Sequence, residues 1–197
     1  MERQKGAQTL LIAVLAVAVL AMSIGFAAAA YNQNLTIGGN NDVTAKAAKW
    51  SVHYRANSYT ETTGTGYVAA SAHDLTNTAW TFTVTLEPGD TYEATAIVEN
   101  DGTFDAKLTS ITMSTLTAAQ DAYLDWSVFV NGTEYTQTTN SLNVALDKMN
   151  GSTPGTNTVK VVVKYIIPSD PSVLPSTDQT VTLSATLGYE SVVQAGA

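Results

Sequence analysis

Apolar and polar side chains alternate with a period of two along much of this chain, and the alternation predicts a series of short strands. The clearest run is Trp80 to Leu86, where Trp80, Phe82, Val84 and Leu86 share one face and Thr81, Thr83 and Thr85 the other. The same period predicts a strand over Lys49 to Arg55, with Trp50, Val52 and Tyr54 inward and Ser51 and His53 outward. It recurs over Thr91 to Glu99, with Tyr92, Ala94, Ala96 and Val98 on one side, and over Ala106 to Met113 and Leu124 to Val130. In Thr158 to Ile167 it sets Val159, Val161, Val163, Tyr165 and Ile167 against Lys160 and Lys164, a strand with one solvated side. In Thr180 to Tyr189 it turns Val181, Leu183, Ala185, Leu187 and Tyr189 inward.

Turn chemistry separates these runs. Glu87-Pro88-Gly89-Asp90 combines a proline that presets φ with a glycine that tolerates positive φ, and Asn100-Asp101-Gly102 closes the next strand. The two turns predict a meander of three antiparallel strands between Trp80 and Met113. Asn131-Gly132 is the strongest two-residue hairpin signal in the chain. Ser114 to Tyr123 lacks period two and predicts one or two helical turns, while Asn140 to Lys148 is ambiguous. Ala56 to Asn77 reads as a polar excursion with a short strand around Tyr67 to Ala69. Pro168 to Pro175 must be a loop, because three prolines remove three ladder donors. Eight or nine short strands with turns at regular spacing predict an all-β fold, a jelly-roll-like β-sandwich.

The N-terminal pattern is different. Arg3 and Lys5 precede an uncharged apolar run from Leu10 to Ala30 that ends in small residues, the layout of a secretory signal. Ala28, Ala29, Ala30 and Tyr31 mark the cleavage region, so residues 1–30 read as a cleaved signal peptide. The alternative is an uncleaved membrane anchor, since the run is long enough to span about 30 Å of hydrocarbon. Both readings place the remainder outside the cytoplasm, secreted or at the cell surface. Cleavage would expose Tyr31 to Ile37 as a free strand with Tyr31, Gln33, Leu35 and Ile37 on one face. Gly38 to Asp42 would follow it as a flexible connector. Residues 31–39 thus read as a donor-like segment and residues 40–197 as the sandwich domain.

Charge and composition narrow the chemistry. The formal net charge is −8, and loss of Arg3, Lys5 and Glu2 with the leader would make it −9. An acidic surface of this kind argues against nucleic acid and anionic lipid as partners. With no cysteine, stability has to come from packing and sheet hydrogen bonds, and thiolate chemistry is excluded. The sequence has no H-E-x-x-H, G-x-S-x-G, phosphate-loop or dinucleotide motif. His53 and His73 are the two histidines and read as surface residues rather than metal ligands. Glu87, Asp90, Glu99, Asp101 and Asp105 cluster near turns without calcium-loop spacing. No catalytic residue, cofactor or metal site is therefore assigned, and the chain does not read as an enzyme.

The order of several segments carries a family resemblance. The leader ending G-F-A-A-A-A-Y, then N-Q-N-L-T-I-G-G, a W-S-V-H-Y strand and the run from Leu86 to Ile111 (L-E-P-G-D-T-Y-E-A-T-A-I-V-E-N-D-G-T-F-D-A-K-L-T-S-I) resemble the TasA and camelysin group. The resemblance implies an exported jelly-roll subunit of a biofilm matrix fibre whose leader is removed by a signal peptidase of the SipW type. Its partners would be further copies of itself, as a homopolymer, and other biofilm matrix proteins. It also implies assembly by donor-strand addition, in which one subunit's N-terminal strand completes the next subunit's sheet. Camelysin-like members are described as cell-surface metalloproteases, but with no zinc helix here no catalytic residue carries over. A membrane-anchored surface binding or adhesin domain is the third reading that the sequence leaves open.

Overall fold

The computed structural model of the protein describes residues 33–36, 42–45 and 48–192. Two short strands, β1 (Gln33–Thr36) and β2 (Asp42–Ala45), pair antiparallel and belong to a unit of residues 1–48. The second unit runs from Lys49 to Ala197 and holds the sandwich. Its strands are β3 (Val52–Tyr54), β4 (Thr60–Glu61), β5 (Ala72–Leu75), β6 (Trp80–Thr83), β7 (Thr91–Asn100) and β8 (Asp105–Met113). They are followed by a one-turn helix α1 (Ala118–Asp121), then β9 (Leu124–Val130), β10 (Thr133–Tyr135), β11 (Thr139–Leu146), β12 (Gly155–Tyr165) and β13 (Ala185–Val192).

One sheet has the order β10-β9-β12-β7-β3, with β4 also pairing with β7. A second has the order β11-β8-β13, and β5 and β6 form a separate two-stranded ladder. The two larger sheets share one core, in which Tyr92, Ala94 and Val98 of β7 and Val128, Val159 and Val161 of β9 and β12 meet Ala106, Leu108, Ile111 and Leu146 of β8 and β11. The protein is thus an all-β sandwich. Its turn from one layer to the other is jelly-roll-like: β7 and β8 lie in different layers, and the later pair β11–β12 returns beside them, β11 on β8 and β12 on β7.

This arrangement corrects the meander. β6 pairs with β5 and not with β7, and β7 and β8 belong to different sheets. The reason lies at Asn100, whose side chain is fully buried and ties the corner. Its Nδ2 donates to Phe104 O at 2.9 Å and to Leu146 O at 3.3 Å, and its Oδ1 accepts from Gly102 N–H at 3.0 Å. Asn100-Asp101-Gly102 therefore carries the chain across the sandwich instead of back along the same sheet. A Cβ on Gly102 would lie 2.6 Å from Lys49 O, so glycine is needed there for close approach.

Other expectations hold locally. β9 spans Leu124–Val130, and Asn131 (φ 51°) and Gly132 (φ 84°) form the tight turn into β10. The two residues with positive φ match the twist of a two-residue hairpin. α1 is capped by Thr117, whose hydroxyl accepts from Gln120 N–H while the Gln120 side chain accepts from Thr117 N–H. The ambiguous stretch becomes β11, bulged between Asn140 and Val144, with Ser141 at φ 62°. The polar excursion contains β4 and β5, with no strand over Tyr67 to Ala69, where only Tyr67 bridges to Thr91. Trp50 and Ile167, expected inward, are 46% and 71% exposed, because β3 starts after Trp50 and β12 stops before Ile167. The last strand begins at Ala185, five residues later than the alternation suggests, and Ala185 is exposed.

Candidate functional site

The second layer of the sandwich is narrower than the first. Three strands and the β5–β6 ladder lie over a six-stranded sheet, and no strand pairing joins β13 to β5 or β6 among the described residues. Where they fail to meet there is a cavity of about 360 Å³. Val52, His53 and Tyr54 of β3 and Val98 of β7 line it on one side, Ala185, Thr186, Leu187 and Tyr189 of β13 on another, and Asn77 to Trp80 close it. Several of these apolar side chains (Val52, Tyr54, Trp80, Leu187 and Tyr189) are only partly buried against the core.

The two edges that flank the slot differ in what they offer. On β3, Ser51 O accepts from Asp101 N–H and Arg55 N–H donates to Ile97 O, so odd-numbered backbone groups face β7. Tyr54 therefore faces outward, and its N–H already donates to Asn77 O at 2.9 Å. On β13 the inner side is engaged. Ser184 N–H donates to Ser114 Oγ, Ser184 O accepts from Ser114 N–H, and Gly188 O accepts from Thr109 Oγ1. Alternation turns the backbone groups of Ala185 and Leu187 the other way, where no strand neighbours them among the described residues.

Aromatic rings line the wall beside this edge. Trp80 meets Tyr54 edge to face at 6.5 Å, Tyr59 at 6.0 Å and Phe82 at 6.0 Å, and Phe82 continues the array to Tyr92 at 4.7 Å. The Trp80 indole N–H is buried with no hydrogen-bond partner among the described residues. Burial pushes the Tyr54 phenol up to about 12, with Tyr189 adding to the shift, and burial also raises Tyr59, Tyr92 and Tyr189. In an unfolded chain these phenols titrate near 10. Their folded pKa values are raised, so the folded state holds its protons longer. Stability should be undiminished below about pH 10 and should fall as pH rises from about 10 through about 12. Denaturant unfolding across that range checks this, and a flat profile would contradict the burial of these rings.

The acidic and histidine residues are engaged locally, and His53 lies between Glu99 and Asp101, its Nδ1 4.0 Å from Asp101 Oδ1. Glu99 accepts from Arg55 Nε at 2.6 Å, and His53 Nε2 lies 3.1 Å from its other oxygen. Asp101 meets Lys49 Nζ at 3.2 Å, Asp105 accepts from Lys148 N–H at 2.9 Å, and Asp90 accepts from Glu87 N–H at 2.7 Å. His73 stacks on Tyr59 with ring centroids 3.8 Å apart. Among the described residues, no three His, Asp or Glu side chains gather as a metal site. No described helix is long and apolar enough to cross a membrane.

Of the N-terminal residues singled out from the sequence, Gln33 and Leu35 lie on β1. That strand is paired with β2 rather than free: Gln33 is opposite Ala45 and Leu35 opposite Val43. Asp42, expected in a connector, begins β2. The signal segment Leu10 to Ala30, including the cleavage residues Ala28, Ala29 and Ala30, lies outside the described residues, as do Tyr31, Ile37 and residues 38–41. No protein-family model matches this chain, and no curated protein matches it. Sequence reasoning counted Tyr54, Trp80, Leu187 and Tyr189 as core and missed the slot they line. The available signal was a tryptophan on an inward face with no polar partner in view for its N–H.

Proposed function

We propose that this chain is a secreted structural subunit of an extracellular biofilm matrix fibre, of the kind the TasA and camelysin resemblance implies. Subunits assemble head to tail, each giving its N-terminal strand, residues 31–37, to the next. A contact of this type joins two different surfaces, so it propagates into an open filament instead of closing into a ring. Its partners are other copies of itself, a SipW-type signal peptidase that frees the strand, and other matrix proteins. Its work is assembly, with no catalytic step.

The observation that most supports this reading is the division of the chain. The sandwich core is built within Lys49–Ala197, and the strand to be given away belongs to the unit of residues 1–48. There β1 is held by four register pairs with β2. A two-stranded hairpin is only marginally stable alone, so exchanging β2 for a sheet edge gives up little.

The test compares the chain beginning at Tyr31 with one beginning at Asn40. Electron microscopy and sedimentation should find filaments from the first and folded monomers from the second. Filaments of normal appearance from the shorter chain would end the proposal.

A further inference from the structure

We infer that the site receiving the donated strand is the slot between β13 and β3, with the strand pairing along the outer edge of β13. This rests on the strand-donation reading and adds the accepting edge and its occupant, residues 31–37 of a second copy. The sandwich has several edges, and their local structure discriminates between them. β10 is three residues long. β11 is bulged and carries Ser141 at positive φ, which breaks a continuous ladder. The outward N–H of Tyr54 on β3 is already taken by Asn77 O. β5 is four residues long and mostly exposed, with no apolar face to cover. β13 has eight residues, its inner side pairs with β8, and the slot beside its outer side has a mixed lining in which Val52, Trp80 and Leu187 supply the apolar part.

Size and pattern suit the occupant. Seven extended residues reach about 24 Å and the eight of β13 about 27 Å, at ~3.4 Å per residue. Tyr31, Gln33, Leu35 and Ile37 share one face of that strand, and its three apolar members can cover Val52, Trp80 and Leu187 while the other face stays in water. Trp80, which lines the slot, also carries a buried indole N–H without a hydrogen-bond partner among the described residues. A buried donor without an acceptor is costly, and an entering strand brings carbonyl oxygens that can accept from it.

The chain has no cysteine, so introduced thiols report only on the positions chosen. The full mature chain carrying Asn34→Cys and Thr186→Cys is polymerised and treated with a short bismaleimide, which tolerates a shift of a residue or two in register. A ladder of covalent multimers on a denaturing gel is expected. The companion chain with Asn34→Cys and Asn143→Cys, which places the second thiol on β11, should give at most a few percent of that yield. Normal filaments with no ladder from the Thr186 pair, or an equal ladder from the Asn143 pair, would overturn β13 as the accepting edge and leave strand donation standing. Absence of filaments from the unmodified mature chain would overturn both.

Discussion

Asn100→Ala should destabilise the sandwich by about 4 kcal/mol. The residue has no exposed surface, and its amide answers three backbone groups at once, the Gly102 N–H and the carbonyls of Phe104 and Leu146. Removing the amide leaves each of them without its partner in a corner closed to solvent, and an orphaned buried group costs about 1–3 kcal/mol. Partial relaxation toward water keeps the total below the simple sum. Asn100→Asp retains the shape and the acceptor but loses both donated bonds and brings a carboxylate into the interior, so it should be at least as damaging. Denaturant unfolding measures both. A change below about 1 kcal/mol for the alanine variant would mean that the corner is held by something other than this side chain.

The second large effect is expected at Gly155. A Cβ there would overlap Asp147 O and sit 2.7 Å from Asp147 C, both backbone atoms. The Asp147 backbone cannot readily withdraw. Its neighbour Leu146 accepts from Asn100 through its carbonyl, and Lys148 N–H is held by Asp105. Gly155 is itself in register with Asn100 across β12 and β7. Gly155→Ala should therefore fall at the upper end of the range for overpacking, about 3 kcal/mol. For a chain of this length that lowers Tm by about 6–12 °C. Gly66→Ala is a useful contrast, because nothing lies within 4 Å of a Cβ there and the cost comes only from its φ of +87°. It should cost about 1–2 kcal/mol. Equal losses at the two glycines would refute the close approach of Asp147, just past β11, to the start of β12.

These two positions bear on the proposed assembly because they set the alignment of the layers. Asn100 lies in register with Val52 of β3, which lines the slot, and of the two residues bonded to its side chain Gly102 lies in the turn before β8 and Leu146 ends β11, the neighbour of β8. A loosened corner should move β3 relative to β13 and weaken strand acceptance before it unfolds the domain. The corner is also where the sequence was misread. Asn100-Asp101-Gly102 has the composition of a hairpin turn, and composition alone does not distinguish a chain that returns along its own sheet from one that crosses to another. What decides is the partner of the asparagine side chain, and Leu146 is 46 residues away.

Much of the strand content was determined by sequence alone. The alternation from Thr91 to Glu99 matches burial residue by residue, β9 has the predicted limits, and Asn131-Gly132 forms the turn its residue types demand. Local chemistry suffices there, because a period of two and a positive-φ pair need no distant partner. The tertiary structure decided which strands are neighbours, that Trp50 and Ile167 stay exposed while Val162 is buried on the lysine face, and that β1 pairs with β2. It also decided that β13 ends its sheet beside a slot. Each of these depends on pairings between segments far apart in the chain, where the free energy comes from joint burial and leaves no mark on either segment read by itself.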